Sequence, residues 1–290
     1  MKKSRLSKIL TLSLSAVMLF SLASCGGGES GDSSDKGITV ISREEGSGTR
    51  DAFTELTGVL EDDVDRTVDT AEISNSTSVV TQSVAGNDAA IGYISLGSLD
   101  DSVKAIKVDG VEASVDTVKS GDYKLQRPFN IVTKGGLAEL PQDFVNFIMS
   151  EEGQSIIEEE GYIRTNDSAE AYEASGLSGT ITLAGSTSVS PVMEVLADKY
   201  KELNSGVTIE IQQTGSGAGI QSTIEGVCDI GMASRELKDE EASEGLESQV
   251  IALDGIAVIV NNNNAVEDLT TEQIMKIFIG EITNWAELSE

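Results

Sequence analysis

Along most of this chain, short runs of β-branched apolar residues alternate with longer stretches in which apolar positions recur three and four apart. The short runs predict strands at 38–42, 90–94, 129–133, 180–184, 207–212, 229–233 and 256–260. The longer stretches predict helices at 49–56, 77–85, 141–160, 190–203, 219–226 and 271–280. Strands that alternate with helices argue for α/β layers over a helical bundle or a β-sandwich. Residues 165–178, rich in Ser, Asp, Glu and Ala, lie between two better-patterned parts and read as an internal linker.

The first 25 residues follow a different pattern. Lys2, Lys3, Arg5 and Lys8 make a basic start, and an apolar stretch at 9–23 follows that is short for a membrane span. Leu22-Ala23-Ser24-Cys25 resembles a bacterial lipobox, so residues 1–25 read as a lipoprotein signal peptide with Cys25 as the lipidated residue. Residues 26–37, mostly Gly, Ser and Asp, read as a flexible tether. The expected location is the outer face of the cell membrane, held by lipid.

Charge and composition narrow the function. The 290 residues hold 20 Lys and Arg against 49 Asp and Glu, with no His and two Cys. A net charge of -29 excludes binding to nucleic acid through phosphate neutralisation. The absence of His excludes His-ligated metals and His-based triads, and two Cys exclude a disulfide framework. An enzyme would then need a Ser-Lys arrangement or a carboxylate metal cluster, and neither is patterned; no cofactor or metal is expected.

Three places share one design, in which a predicted strand runs through a knot of Gly and Ser/Thr into a helix start. They are Arg43-Glu44-Glu45-Gly46-Ser47-Gly48-Thr49, Gly185-Ser186-Thr187-Ser188-Val189-Ser190-Pro191 and Thr214-Gly215-Ser216-Gly217-Ala218-Gly219. Helix N-termini offer unpaired N–H groups, small residues let an anion approach them, and hydroxyls add donors. One such turn is usually a plain N-cap. Three of them, with Arg43 as a countercharge, describe a site for a small oxyanion.

These motifs, together with Asp229-Ile230-Gly231-Met232-Ala233-Ser234-Arg235 and Ile282-Thr283-Asn284-Trp285, resemble the phosphate-binding lipoproteins of bacterial phosphate ABC importers. The resemblance runs from Ile38 to Glu290. It implies an α/β periplasmic-binding-protein fold of type II, whose two lobes enclose one inorganic phosphate and deliver it to a membrane permease. The positions it marks as phosphate-binding are Arg43, Ser47, Gly48, Thr49, Thr187, Ser188, Ser216 and Ser234.

Two departures from the family pattern carry expectations of their own. Ser234 stands where better-known members have a carboxylate that accepts the proton of hydrogen phosphate, so sulfate should be rejected less strongly; Glu44 or Glu45 is a candidate substitute. The Arg43 motif also precedes the Gly185 motif, the reverse of the family order. A circular permutation accounts for this, with residues 38–125 and 265–290 forming one lobe, 126–260 the other, and 165–178 joining the family's usual ends in a monomer. A fragment of a tandem chain is the competing reading. A sensory or adhesion lipoprotein with a vestigial oxyanion site is the alternative function. Cys228 reads as a buried small apolar residue, Trp285 as a packing residue, Asn261 to Asn264 as a turn at the lobe crossing, and Ser76-Thr77-Ser78 as either an N-cap or a face of the cleft.

Overall fold

The structure is a computed structural model that describes residues 37–289; Cys25, the signal segment and nearly all of the tether lie outside the described residues. A ten-stranded mixed sheet organises the chain. Its main strands are β1 (Thr39–Arg43), β2 (Glu72–Ser74), β3 (Ala90–Ser95), β4 (Gln126–Lys134), β5 (Gly179–Gly185), β6 (Val207–Gln213), β7 (Ile230–Ala233) and β8 (Leu246–Asn261). They lie in the order β6-β5-β7-β4-β8-β3-β1-β2, and the two remaining strands pair with β8. The principal helices are α1 (Gly48–Thr57), α2 (Thr77–Ala85), α3 (Glu139–Ile148), α4 (Glu151–Glu159), α5 (Ser190–Leu203), α6 (Ser216–Ile224) and α7 (Thr271–Phe278).

β8 joins the two halves. Leu246 to Gly255 run antiparallel to β4, and Ile256 to Val260 run antiparallel to β3. The two ends of the strand feed two cores. One core packs Ile41, Phe53, Tyr93, Val258 and Phe278, with Phe53 and Tyr93 stacked at 3.9 Å and Phe278 edge-on to Phe53. The other packs Phe129, Phe144, Leu183, Leu196, Tyr200 and Ile251. Full burial of such side chains contributes roughly 1.5–3 kcal/mol each, so each half has its own apolar anchor.

Most predicted elements appear, and the exceptions have physical causes. The single helix expected at 141–160 is two, because Ser150 Oγ accepts the Gly153 N–H and starts a new helix. Gly153 permits this close turn, since a Cβ there would lie 2.2 Å from the Phe147 carbonyl oxygen. Both helices keep an apolar period, so the pattern alone does not show the break. β8 begins ten residues before the predicted 256–260 because its first part, Leu-Glu-Ser-Gln, is largely exposed and has no apolar run. Asn261 ends β8 and Asn264 follows in the turn after it, with Asn261 Nδ2 donating to the carbonyls of Val84 and Ala85; the crossing between halves falls earlier, at Gly255–Ile256.

The two ends of the described chain are neighbours within one molecule. Ile38 N donates to Thr283 O at 2.7 Å, and Gly37 bridges Asn284. Trp285 is buried against them and donates its indole N–H to Ala89 O. Residues 165–178 have no regular structure but are tied down: Tyr172 and Ser175 hydroxyls both donate to Asp143 Oδ2, which also receives the Tyr200 hydroxyl. Cys228 is buried near Thr223, and burial pushes its thiol upward, away from reactivity.

Candidate functional site

The site grows from the carboxyl ends of β1, β5 and β7, where strands of an α/β sheet hand over to helices and place small-molecule sites. After β1 the chain turns at Glu44 to Gly46 and enters α1, with Ser47 as its N-cap; Ser47 Oγ accepts the Arg50 N–H. Arg43, the last residue of β1, is almost wholly buried. Its Nε and Nη2 donate to the two carboxylate oxygens of Glu44, both at 2.8 Å. Behind it Tyr93 accepts the Arg43 backbone N–H and lies 2.8 Å from Ser42 Oγ, and burial pushes that phenol up to about 12. Arg50 Nη1 donates to the Arg43 carbonyl and its Nε to Asp65.

The facing side is built mainly of hydroxyls. Gly185 ends β5 at φ 144°, where a Cβ would lie 2.2 Å from Met232 O, so the turn into α5 can press against β7. Ser186 Oγ then accepts the N–H groups of Ser188 and Val189 and donates to Ser234 Oγ at 3.0 Å. Ser234 N donates to Ser216 Oγ, the first residue of α6.

The two sides meet closely. Arg43 Nη2 donates to Thr187 Oγ1 at 3.0 Å, and Thr49 Oγ1 lies 2.9 Å from Ser188 Oγ. Thr77 Oγ1 lies 3.2 Å from Ser188 Oγ and 3.3 Å from Thr187 Oγ1, and receives a long bond from Arg43 Nη1. Gly48 faces the serines so tightly that a Cβ would be 2.4 Å from Ser216 Oγ and 2.8 Å from Ser234 Oγ. Gly217 N donates to Gly46 O across the same seam. Beside it Arg235 Nε comes within 2.9 Å of Asp51 Oδ2, Arg235 Nη1 and Nη2 donate to the two oxygens of Glu241 at 2.7 Å, and Lys238 also reaches Asp51.

Seven of the residues marked from the sequence meet across one buried seam, Arg43, Gly48 and Thr49 on one side and Thr187, Ser188, Ser216 and Ser234 on the other, while Ser47 is buried beside them as the cap of α1. Of the two glutamates considered as acceptors, Glu44 is engaged with Arg43 and Glu45 is exposed. Two members went unmarked. Ser186, inside the quoted motif, organises its turn; Thr77 belongs to the Ser-Thr-Ser triplet, where Ser76 caps α2 and Thr77 joins the hydroxyls of the seam.

A second buried guanidinium lies where β4 crosses β8. Arg127 Nε and Nη2 both donate to Asp254 Oδ2, at 3.2 and 3.1 Å, and Ser95 Oγ donates to Asp254 Oδ1. Burial pulls the Arg127 pKa down and pushes the Asp254 carboxyl up, against the attraction between them. Arg127 Nη1 also reaches the Ser234 carbonyl at 3.4 Å. Among the described residues no group of three or more His, Cys, Asp or Glu side chains could hold a metal ion, and no helix is long and apolar enough to cross a membrane.

Known proteins match most of the chain. A family model described as the PBP superfamily domain matches residues 6–152 and 170–290. The phosphate-binding protein PstS 2 of Streptococcus agalactiae serotype V is 49% identical, with all of both chains aligned. The phosphate-binding protein PstS of Bacillus subtilis is 34% identical over only 42% of this chain and 41% of its own. A crystal structure of a phosphate ABC transporter, phosphate-binding protein from Streptococcus pneumoniae superposes with a TM-score of 0.71 at 50% identity, covering 87% of this chain and 99% of that one. By the extent of the family match and by these relatives, the chain belongs to the PBP superfamily.

Proposed function

We propose that this protein is an extracytoplasmic solute-binding lipoprotein that captures inorganic phosphate between two lobes and delivers it to the membrane permease of an ABC importer. The observation that carries the reading is the buried seam itself. One guanidinium and hydroxyls from five chain segments converge there, at the ends of strands that lead into helices. The relatives' names, all of phosphate-binding proteins, support it. The chain's overall charge of -29 opposes an anion at long range, but salt screens exposed charges beyond about 8 Å, so nearby donors decide binding.

Several finer readings belong to the same proposal. The two cores would be the lobes; the end of β8 from Ile256 to Val260 packs with the core of 38–125 and 265–290, so the expected 126–260 lobe would stop near Gly255. The adjacency of Ile38 and Thr283 supports a circularly permuted order, as does an alignment that is end-to-end with the streptococcal relative but partial with the Bacillus one. Lipid on Cys25 would anchor a monomer to the outer face of the membrane. Catalysis is not part of the reading, which follows the relatives' names as phosphate-binding proteins. Titration calorimetry of the mature protein with phosphate, arsenate and sulfate tests the core claim: one phosphate should bind per chain, and absence of phosphate binding would reject it.

A further inference from the structure

Resting on the phosphate reading, we propose that Thr77 is a further ligand of the bound oxyanion, placed between the donor seam and the cleft through which solvent reaches it. Thr77 is the first residue of α2, yet its hydroxyl is not needed to start that helix, because Ser76 Oγ accepts the Val79 N–H as the cap. The Thr77 side chain turns instead into the seam, where the residue is 5% exposed and Oγ1 lies within 3.4 Å of Arg43 Nη1, Thr187 Oγ1 and Ser188 Oγ.

The hydrogen-bond directions give this placement its chemistry. A guanidinium can only donate, so Thr77 Oγ1 accepts from Arg43 Nη1 while Thr187 Oγ1 accepts from Nη2. Each hydroxyl then has its own proton left to donate. At 3.3 Å from each other, the two cannot both donate to their neighbour. An anionic oxygen between them takes both protons, and donors already polarised by a cation make the stronger bonds. Such a hydroxyl can also rotate to accept the proton of hydrogen phosphate, as a backbone N–H cannot.

The second observation is spatial. A cleft of about 440 Å³ opens beside the seam, lined by Ser76, Ser78, Thr81, Gln213 and Pro191 together with Thr77 and Thr187. Thr77 and Thr187 thus line both the cleft and the donor seam. A ligand at this boundary is the first donor an entering anion meets and the last it loses on leaving, which places its effect largely in the dissociation rate.

The test compares Thr77→Val, Thr77→Ser and, as a control in the cleft, Thr81→Val, by phosphate calorimetry and stopped-flow dissociation on the mature chain. Thr77→Val keeps the shape and loses the O–H, so phosphate affinity should fall about 10- to 100-fold, mostly through faster release. Thr77→Ser should stay within about threefold of the parent and Thr81→Val should match it. If Thr77→Val fails to fold, Thr77→Ala reads the same loss. Parent-like affinity in the hydroxyl-less variant, with Arg43→Ala losing phosphate, would overturn the role of Thr77 and leave the phosphate site standing. A loss that Thr77→Ser does not rescue would also overturn it, by showing a structural role. A parent that binds no phosphate would reject the underlying reading and this role with it.

Discussion

Two arginines in this molecule are about equally buried, and the difference between their surroundings separates a charge locked into the fold from one left beside mobile hydroxyls. Arg127 meets a carboxylate that is itself only 1% exposed; two of its nitrogens converge on one oxygen of Asp254, and Ser95 holds the other. Arg43 meets a carboxylate that is 24% exposed, and its Nη1 and Nη2 also donate to the hydroxyls of Thr77 and Thr187. The first arrangement leaves an anion no way to compete. The second keeps the charge beside groups that can reorient toward an incoming anion, and a half-open glutamate is a weaker rival than a buried aspartate.

The comparison can be broken most forcefully at Asp254. Asp254→Ala strands the Arg127 charge in the interior and should cost about 3–5 kcal/mol of stability, read by denaturant unfolding. A loss under about 1 kcal/mol would show that the crossing holds no tightly buried pair. At the other arginine the effect should move from folding to binding: Arg43→Ala should weaken phosphate binding by about 2–5 kcal/mol, because a charge-assisted donor to a desolvated anion is lost. Unchanged phosphate affinity would sink the assignment of the seam.

A third substitution sharpens what the neutral side of the seam does. Ser234 is fully buried and linked by hydroxyls to Ser186 and Ser216. Ser234→Asp adds an acceptor suited to hydrogen phosphate and repulsive to sulfate, so competition titrations should show the phosphate-to-sulfate ratio rising about tenfold or more. An unchanged ratio would place discrimination elsewhere.

The smallest effect belongs to the ion pairs at the rim. Burial works to raise the Glu241 carboxyl, but the bonds from Arg235 and the Lys238 N–H outweigh it and hold the pKa below the ordinary 4.5. A depressed acid stabilises the folded state fully above its unfolded pKa and loses that contribution as pH falls through the lower folded value. Glu241→Gln should therefore cost about 1 kcal/mol at pH 7, and its difference from the parent should shrink as the pH falls below the ordinary carboxylate value and through the lower folded one. A pH-independent difference would mean that packing, not charge, is what the glutamate supplies.

How much of this was legible in the sequence follows from the range of each interaction. The glycine-hydroxyl turns were readable because they are local: Gly185, Ser186 and Pro191 write a strand end, a turn and a helix start within seven residues. Their convergence was readable only through the resemblance, since Thr49 and Ser188 lie 139 residues apart and no periodicity links them. Thr77 illustrates the limit: a Ser-Thr-Ser triplet before a helix leaves open which hydroxyl caps and which turns inward, and only the geometry assigns Ser76 to the first and Thr77 to the second. The Arg127–Asp254 pair, 127 residues apart, had no local signature at all.

The bond from Gly217 N to Gly46 O has a consequence for how such a protein can drift over time. Both partners are main-chain atoms, so no ordinary side-chain replacement deletes the bond, and among the common residues only proline at 217 removes the donor. The hydroxyls around it can be exchanged, weakened or retuned one at a time while the backbone keeps the two sides in register. Ligand preference in this seam can therefore change by single steps on a fixed alignment, and a lineage need not rebuild the junction to alter which anion it holds.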